Sequence, residues 1–250
     1  MREKVSLSLD RGVTKEVDKL IDNVYVKNRS QAFELLLKKS LLNKKVDSAV
    51  ILIGGPKDKA PFHKVYGKLL LEYQLEKLKS VDIKNIFIAA GNHTTKLFSV
   101  VGDGSGSGVK ITFLKEKKPL GTAGALKLSE QYLNSTFITI CGDIFFDFEL
   151  EKLLEFHKNK DAIATIALTT VEKKISTDDI KLNGDSIKSF IYASRSKSFL
   201  TNAGIYVFEP KIFSYLPEKG SLEKDVFPVL AKENKLVAFN FSGGWKHIAR

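Results

Sequence analysis

The 250-residue chain predicts an α/β fold: a mostly parallel sheet covered by helices on both faces, preceded by a small module of different texture. Three observations carry this. Continuous apolar runs alternate with amphipathic stretches from about residue 49 onward, the pattern of strands buried on both faces. A polar hinge, Lys44-Lys45-Val46-Asp47-Ser48, separates that region from what precedes it. Positive charge is also concentrated before the hinge. Residues 1–46 hold 11 Lys+Arg against 6 Asp+Glu, within a chain of net charge +11.

The small module comes first. Val5, Leu7 and Leu9 alternate with Lys4, Ser6 and Ser8, the period of a strand with one buried face. Gly12 breaks the strand, and Thr14 is placed to cap a helix carrying Val17, Leu20, Ile21 and Val24 on one face. Asn28, with Gln31 three residues on, has capping-box spacing before a second helix bearing Ala32, Leu35, Leu36 and Leu42. One strand and two helices of this length close no core alone, so pairing of two copies is expected.

The larger region follows, residues 47–250. AVILIGG (49–55) reads as a buried strand ending in glycines, followed by a helix over 68–80 and a strand over 85–91. Helices are expected at 93–101, 122–133 and 149–158, and strands at 109–114, 137–143 and 162–170. Beyond residue 170 the expected elements are strands: 188–193, 202–208 and 235–241. Ligands in such sheets bind beyond the carboxyl ends of the strands, which points at Gly54-Gly55, Gly91 and Gly142-Asp143. GDGSGSG (102–108) precedes a strand and opens no helix, so it reads as a turn.

Composition excludes other classes. No apolar run approaches the roughly 20 residues of a membrane-spanning helix. The charged start is unlike a signal peptide, so a cytoplasmic location is expected. A single cysteine, Cys141, rules out an internal disulfide framework, and the four histidines lack zinc-ligand spacing.

Two resemblances sharpen these expectations. Residues 3–43 resemble a ribbon-helix-helix DNA-binding domain. The resemblance implies base or phosphate contacts from Lys4, Ser6 and Ser8, and a phosphate site at Asn28-Arg29-Ser30. The module is accordingly taken as residues 1–46, a DNA-binding and dimerisation domain. In the second region, Gly67-Lys68-Leu69-Leu70-Leu71-Glu72-Tyr73, the octapeptide Pro119 to Leu126 (PLGTAGAL), Gly142-Asp143 and Asn202-Ala203-Gly204-Ile205-Tyr206 occur in order. Together they resemble the sugar-phosphate nucleotidyltransferases, the NDP-sugar pyrophosphorylases, over about residues 48–248. That resemblance implies a Rossmann-like nucleotidyltransferase domain. Gly54, Gly55, Leu120, Gly121, Thr122, Ala123 and Gly124 would line the nucleotide pocket, and Asn202 and Gly204 would lie against the sugar. Asp143 would be the magnesium carboxylate.

The pattern also departs from that family. Only 11 residues separate Gly55 from Gly67, roughly nine fewer than usual, and the arginine of the family's glycine-rich loop has no counterpart. Ala60 aligns with a lysine that the family keeps, though Lys57, Lys59 and Lys64 leave the loop basic. About Tyr192-Ala193-Ser194 aligns with the lysine segment that holds the sugar phosphate. His247 stands where a second magnesium carboxylate is usual, and imidazole is a poor ligand for so hard a cation.

These losses favour a regulator over an enzyme at this level. The expectation is a homodimer, or a higher even-numbered oligomer, in a prokaryotic cytoplasm and nucleoid-associated when on DNA. It would bind duplex DNA through its first module and a nucleotide, nucleotide sugar or sugar phosphate through its second. The alternative is an active, magnesium-dependent sugar-1-phosphate nucleotidyltransferase. A ligand-free scaffold is the third reading.

Overall fold

A computed structural model describes residues 6, 8–22, 24, 26–41, 46–54, 59–172, 178–192 and 199–248. The chain divides into two compact units, Met1–Lys44 and Lys45–Arg250.

In the first unit two helices form, α1 (Arg11–Asp18) and α2 (Arg29–Leu41). Helix α1 starts three residues before the expected cap. Asp10 takes that role, its Oδ1 accepting the Gly12 N–H at 2.6 Å, while Thr14 Oγ1 donates back to the Asp10 carbonyl. Asn28 caps α2 as expected, Oδ1 accepting from the Gln31 N–H at 3.0 Å, and Gln31 Oε1 in turn accepts from the Lys27 N–H. The expected ribbon strand does not form among the described residues: Ser6, Ser8 and Leu9 are exposed and carry no strand. Such a strand needs a ladder partner, expected here from a second copy, and among the described residues of this one chain their backbone groups meet none. Lys4, Val5 and Leu7 lie outside the described residues. Arg29 is paired within the unit. Its Nε and Nη2 donate to the two carboxylate oxygens of Asp18 at 2.6 and 2.7 Å, a fork that ties α2 to the end of α1. Ser30 is exposed beside it.

The second unit is built on strands β1 (Ser48–Leu52), β2 (Lys64–Val65), β3 (Lys68–Leu69), β4 (Asn85–Ala89), β5 (Lys110–Leu114), β6 (Phe137–Cys141) and β7 (Ile144–Asp147). These are followed by β8 (Ala164–Thr170), β9 (Asp179–Asn183), β10 (Ser186–Ile191), β11 (Leu200–Phe208), β12 (Leu236–Asn240) and β13 (Gly244–His247). Its helices are α3 (Leu70–Ser80), α4 (Thr94–Val101), α5 (Gly121–Lys127), α6 (Leu150–Lys158) and α7 (Phe227–Lys232).

Nine strands make one sheet in the order β5-β4-β1-β6-β11-β8-β12-β10-β9. From the pairings, β11 and β10 run against the other seven. The sheet is therefore mostly parallel in strand direction. Alternation along β1 shows why both faces are covered. Val50 and Leu52 enter one core layer with Ala123 and Leu126 of α5, and Ala49 and Ile51 enter the other with Leu71, Leu75 and Leu78 of α3. Helix α5 is shorter than the periodicity predicts. Ser129 closes it by bonding the Leu126 carbonyl through both its N–H and its hydroxyl, and a 3-10 turn follows at Glu130–Tyr132. The glycine-rich stretch at 102–108 is a loop with a short 3-10 turn, Ser105–Ser107.

Strands β2, β3, β7, β9 and β13, helix α7 and the π-helical turn before it were not legible in the sequence. Strands β7 and β13 form a separate two-stranded ribbon, with Phe146 opposite Trp245 and Ile144 opposite His247. A π-helical turn, Leu222–Val226, leads into α7.

Candidate functional site

Strand β1 sits at the switch point of the sheet. The chain moves from it to β4 and β5 on one side, and later returns to β6 on the other. A crevice opens beyond the carboxyl ends of such strands. Two bonds continue the ladder past the strand ends, Ile53 N–H to the Ala89 carbonyl at 2.9 Å and Gly142 N–H to the Leu52 carbonyl at 2.7 Å. They carry Gly54 and Asp143 to the rim of a cavity of about 410 Å³. Gly54, Gly91, Glu116, Gly121, Thr122 and Asp143 all line it, as do Lys117 and Lys118. A larger hollow of about 550 Å³ lies beside α6. Four of its charged wall residues are paired with each other, Lys77 with Asp147 at 2.8 Å and Lys152 with Glu149 at 3.0 Å. It also lies away from the ends of β1, β4 and β6, so the smaller cavity is the candidate site.

The PLGTAGAL segment enters the site in an unexpected way. Gly121 has φ +76°, and a Cβ there would stand 2.2 Å from the Gly220 carbonyl oxygen. Ala123 N–H donates to that same oxygen at 3.0 Å, and Gly220 N–H donates to the Leu120 carbonyl at 2.8 Å. A Cβ on Gly124 would lie 2.5 Å from the Glu218 carbonyl oxygen. These small residues seat the loop 218–220 against α5. Only Gly121, Thr122 and Ala125 of the helix reach the cavity wall.

The Thr122 hydroxyl is fully engaged: it donates to Glu223 Oε2 at 2.9 Å and accepts the Leu222 N–H at 2.8 Å. Glu223, on the π-helical turn, also accepts from Ser221 Oγ at 2.6 Å and from Tyr206 OH at 3.2 Å. Asn202 donates from Nδ2 to Tyr206 OH at 2.9 Å, and its Oδ1 accepts the Gly204 N–H at 2.9 Å. Asn202 and Gly204 thus belong to a buried polar network behind the cavity, in which each hydroxyl and the carboxylate satisfy one another. Burial pushes the Tyr206 phenol well above its ordinary range. Cys141 lines the cavity floor. Burial, reinforced by the Asp143 and Glu223 carboxylates, pushes its thiol up as well, so it stays protonated and is no nucleophile.

Glu116 is held in place by the Leu120 N–H, which donates to its Oε1 at 2.7 Å. Asp143 faces the ribbon formed by β7 and β13: its Oδ2 lies 3.2 Å from His247 Nε2. The Ile248 N–H donates to the Asp143 carbonyl at 2.8 Å, and Trp245 Nε1 donates to the Ala203 carbonyl at 3.0 Å. The backbone therefore fixes the spacing of Asp143 and His247. Among the described residues, no group of three or more His, Cys, Asp or Glu is placed to hold a metal unaided. Gly55 and Lys57 lie outside the described residues, as do Ala193 and Ser194; Lys59 and Lys64 are exposed.

A family model for nucleotidyl transferases matches residues 56–248. The chain belongs to the nucleotidyl transferase family. The catalytic beta subunit of mannose-1-phosphate guanylyltransferase from Drosophila pseudoobscura pseudoobscura is 30% identical, covering 81% of this chain and 59% of that protein. Mannose-1-phosphate guanyltransferase of Yarrowia lipolytica (strain CLIB 122 / E 150) is 31% identical over 73% of this chain and 53% of its own length. The chain thus spans under three fifths of the length of these curated relatives. HddC from Yersinia pseudotuberculosis has the same fold, with a TM-score of 0.70 at 23% identity over 81% of this chain and 94% of that one.

These matches correct the regulator expected from the sequence. The relatives of this nucleotidyl transferase domain are named as sugar-nucleotide-forming enzymes, and nothing supports the ribbon-helix-helix domain or DNA binding by Ser6, Ser8, Asn28, Arg29 or Ser30. No helix among the described residues is long and apolar enough to cross a membrane.

Sequence reasoning missed Glu116, Lys117, Lys118 and Glu223. The first three carried a signal, a charged run immediately before the PLGTAGAL octapeptide. Glu223 carried a fainter one, an acid among Leu222, Val226 and Phe227.

Proposed function

We propose that this chain transfers a nucleotidyl group from a nucleoside triphosphate to a sugar 1-phosphate, with GTP the donor its cavity suits best. The observation that carries the reading is the cavity at the ends of β1, β4 and β6, which brings Gly54, Glu116, Gly121 and Asp143 to one wall of a family-matched domain. A sugar-phosphate oxygen attacks the α-phosphorus and forms the new P–O bond. The bond from that phosphorus to the bridging oxygen breaks, and pyrophosphate leaves with the electron pair. An ionised phosphate needs no base to attack, and the Cys141 thiol, pushed up by burial, does not compete as a nucleophile.

What the protein must supply is position and positive charge. Lys117 and Lys118 are the cations of the cavity wall among the described residues, and they face the anionic ligand. Glu116 supports guanine. Guanine alone presents two adjacent donors, N1–H and the N2 amino group, which one carboxylate accepts together. Every other base places an acceptor at that edge, which a carboxylate repels. The guanylyltransferase names of the relatives agree with this choice. A divalent cation fits the site in part: Asp143 is the carboxylate that would hold it, alongside substrate phosphates, a combination magnesium accepts. Magnesium, when bound, would neutralise charge on the transferring phosphoryl group.

Pyrophosphate release is the test, run with each of the five nucleoside triphosphates against a panel of hexose 1-phosphates, once with magnesium and once with manganese. Release with GTP, lost in Glu116→Ala, is expected. Absence of release from every pair would overturn the proposal.

A further inference from the structure

Asp143 and His247 depart from a pure carboxylate site in one respect that geometry makes usable. Their donor atoms, Oδ2 and Nε2, lie 3.2 Å apart. A cation about 2.1 Å from each, the usual length of metal–oxygen and metal–nitrogen bonds, closes that triangle without moving either residue. Both side chains are about a quarter exposed, 24% for Asp143 and 23% for His247, so a hydrated ion reaches them. The spacing is not left to side-chain chance. His247 is fixed opposite Ile144 in the β7–β13 ladder, and the next residue, Ile248, is bonded to the Asp143 backbone.

We infer that Asp143 and His247 form a mixed oxygen–nitrogen half-site that selects a first-row transition-metal dication, from manganese onward, over magnesium. Magnesium takes oxygen ligands and gives up water reluctantly. Imidazole suits the later first-row metals, whose affinity for such sites rises along the series from manganese to cobalt. Two protein donors leave the remaining positions to water and to phosphate oxygens. The inference rests on the nucleotidyl-transfer reading only for those phosphates.

The test reads the metal directly. Manganese(II) is titrated into the full chain, alone and with GTP, and the bound ion is examined by electron spin-echo envelope modulation for ¹⁴N coupling. Wild-type protein is expected to show imidazole nitrogen on the manganese, and His247→Asp and His247→Ala to show none. Competition titrations should show the preference for manganese over magnesium falling about tenfold or more in His247→Asp. Bound manganese without nitrogen coupling, a preference unchanged in His247→Asp, or no manganese bound with or without GTP would each overturn the inference. Circular dichroism of each variant confirms that it folds. Because these readouts need no turnover, an inactive chain that still shows nitrogen coupling would overturn the transferase proposal and leave this one standing.

Discussion

Replacing Gly121 by alanine tests whether the octapeptide is there for packing. Two costs combine at this position. The backbone at φ +76° disfavours any Cβ by about 1–2 kcal/mol. The new methyl would also stand 2.2 Å from the carbonyl oxygen of Gly220, a residue held by Ala123 through that oxygen and by Leu120 through its N–H, with little room to give. Relieving such overpacking costs about 1–3 kcal/mol. The sum, about 2–5 kcal/mol, is a large part of a typical domain's stability. Two other glycines separate the terms. Gly184 has φ +56° with nothing within 4 Å of a Cβ, so Gly184→Ala carries conformational strain alone. Gly124 carries the clash alone, 2.5 Å from the Glu218 oxygen and without positive φ. Urea unfolding followed by tryptophan fluorescence reads the second unit through Trp245. The Gly121→Ala loss should approach the sum of the other two, with the slope m unchanged. A Gly121→Ala protein no less stable than Gly184→Ala would refute the reasoning, since the close approach to Gly220 would then be costless.

Two smaller predictions follow from the shifted groups. Cys141, held protonated by burial, should resist a thiol reagent at pH 8 in the folded protein and react fully in denaturant; rapid labelling of the folded chain would contradict its placement. Asp147 is held below the ordinary carboxylate range, first by its hydrogen bond to Lys77 and then by that lysine's charge. A depressed carboxylate stabilises the fold above its unfolded value of about 3.9, and that contribution fades as pH falls through the lower folded value. The pair is half-exposed, so its worth is below about 1 kcal/mol. The stability gap between wild type and Asp147→Asn should be constant from pH 7 to 5 and close toward pH 2. A gap that widens on acidification would show the sign to be wrong.

The parallel half of the sheet was legible because strands buried on both faces read as unbroken apolar runs: AVIL, NIFIA and FITIC each stand out from amphipathic neighbours. Strands β7 and β13 were not. IFFD and GWKH are four residues long, and their order comes from pairing with each other across about a hundred residues. No local pattern encodes that pairing. The first unit shows the opposite failure. Alternation over residues 5–9 was clear, but a strand is a relation between segments, and Ser6, Ser8 and Leu9 pair with none among the described residues of one chain. Glycine-tipped strand ends located the cavity. The polarity of its walls was harder to read, because Thr122 and Asn202 spend their polar groups on Glu223 and Tyr206.

That division bears on what the octapeptide signifies. Gly121 and Gly124 are required by the carbonyls of Gly220 and Glu218, so any chain that keeps this loop against α5 must keep them, active or not. Their presence reports the fold. The proposed transfer would depend instead on Glu116 at the cavity wall, on Lys117 and Lys118 exposed beside it, and on His247 against Asp143. A chain drifting toward a bare scaffold would have no physical reason to hold an imidazole in register with Asp143, or two lysines at the mouth of an anion-sized cavity. Lys117 and Lys118 bring positive charge to the cavity that Asp143 lines, and His247 stands 3.2 Å from that carboxylate. Lys117→Ala and Lys118→Ala therefore belong in the same pyrophosphate assay as Glu116→Ala, since an exposed lysine with no role in the fold loses nothing else when it is removed.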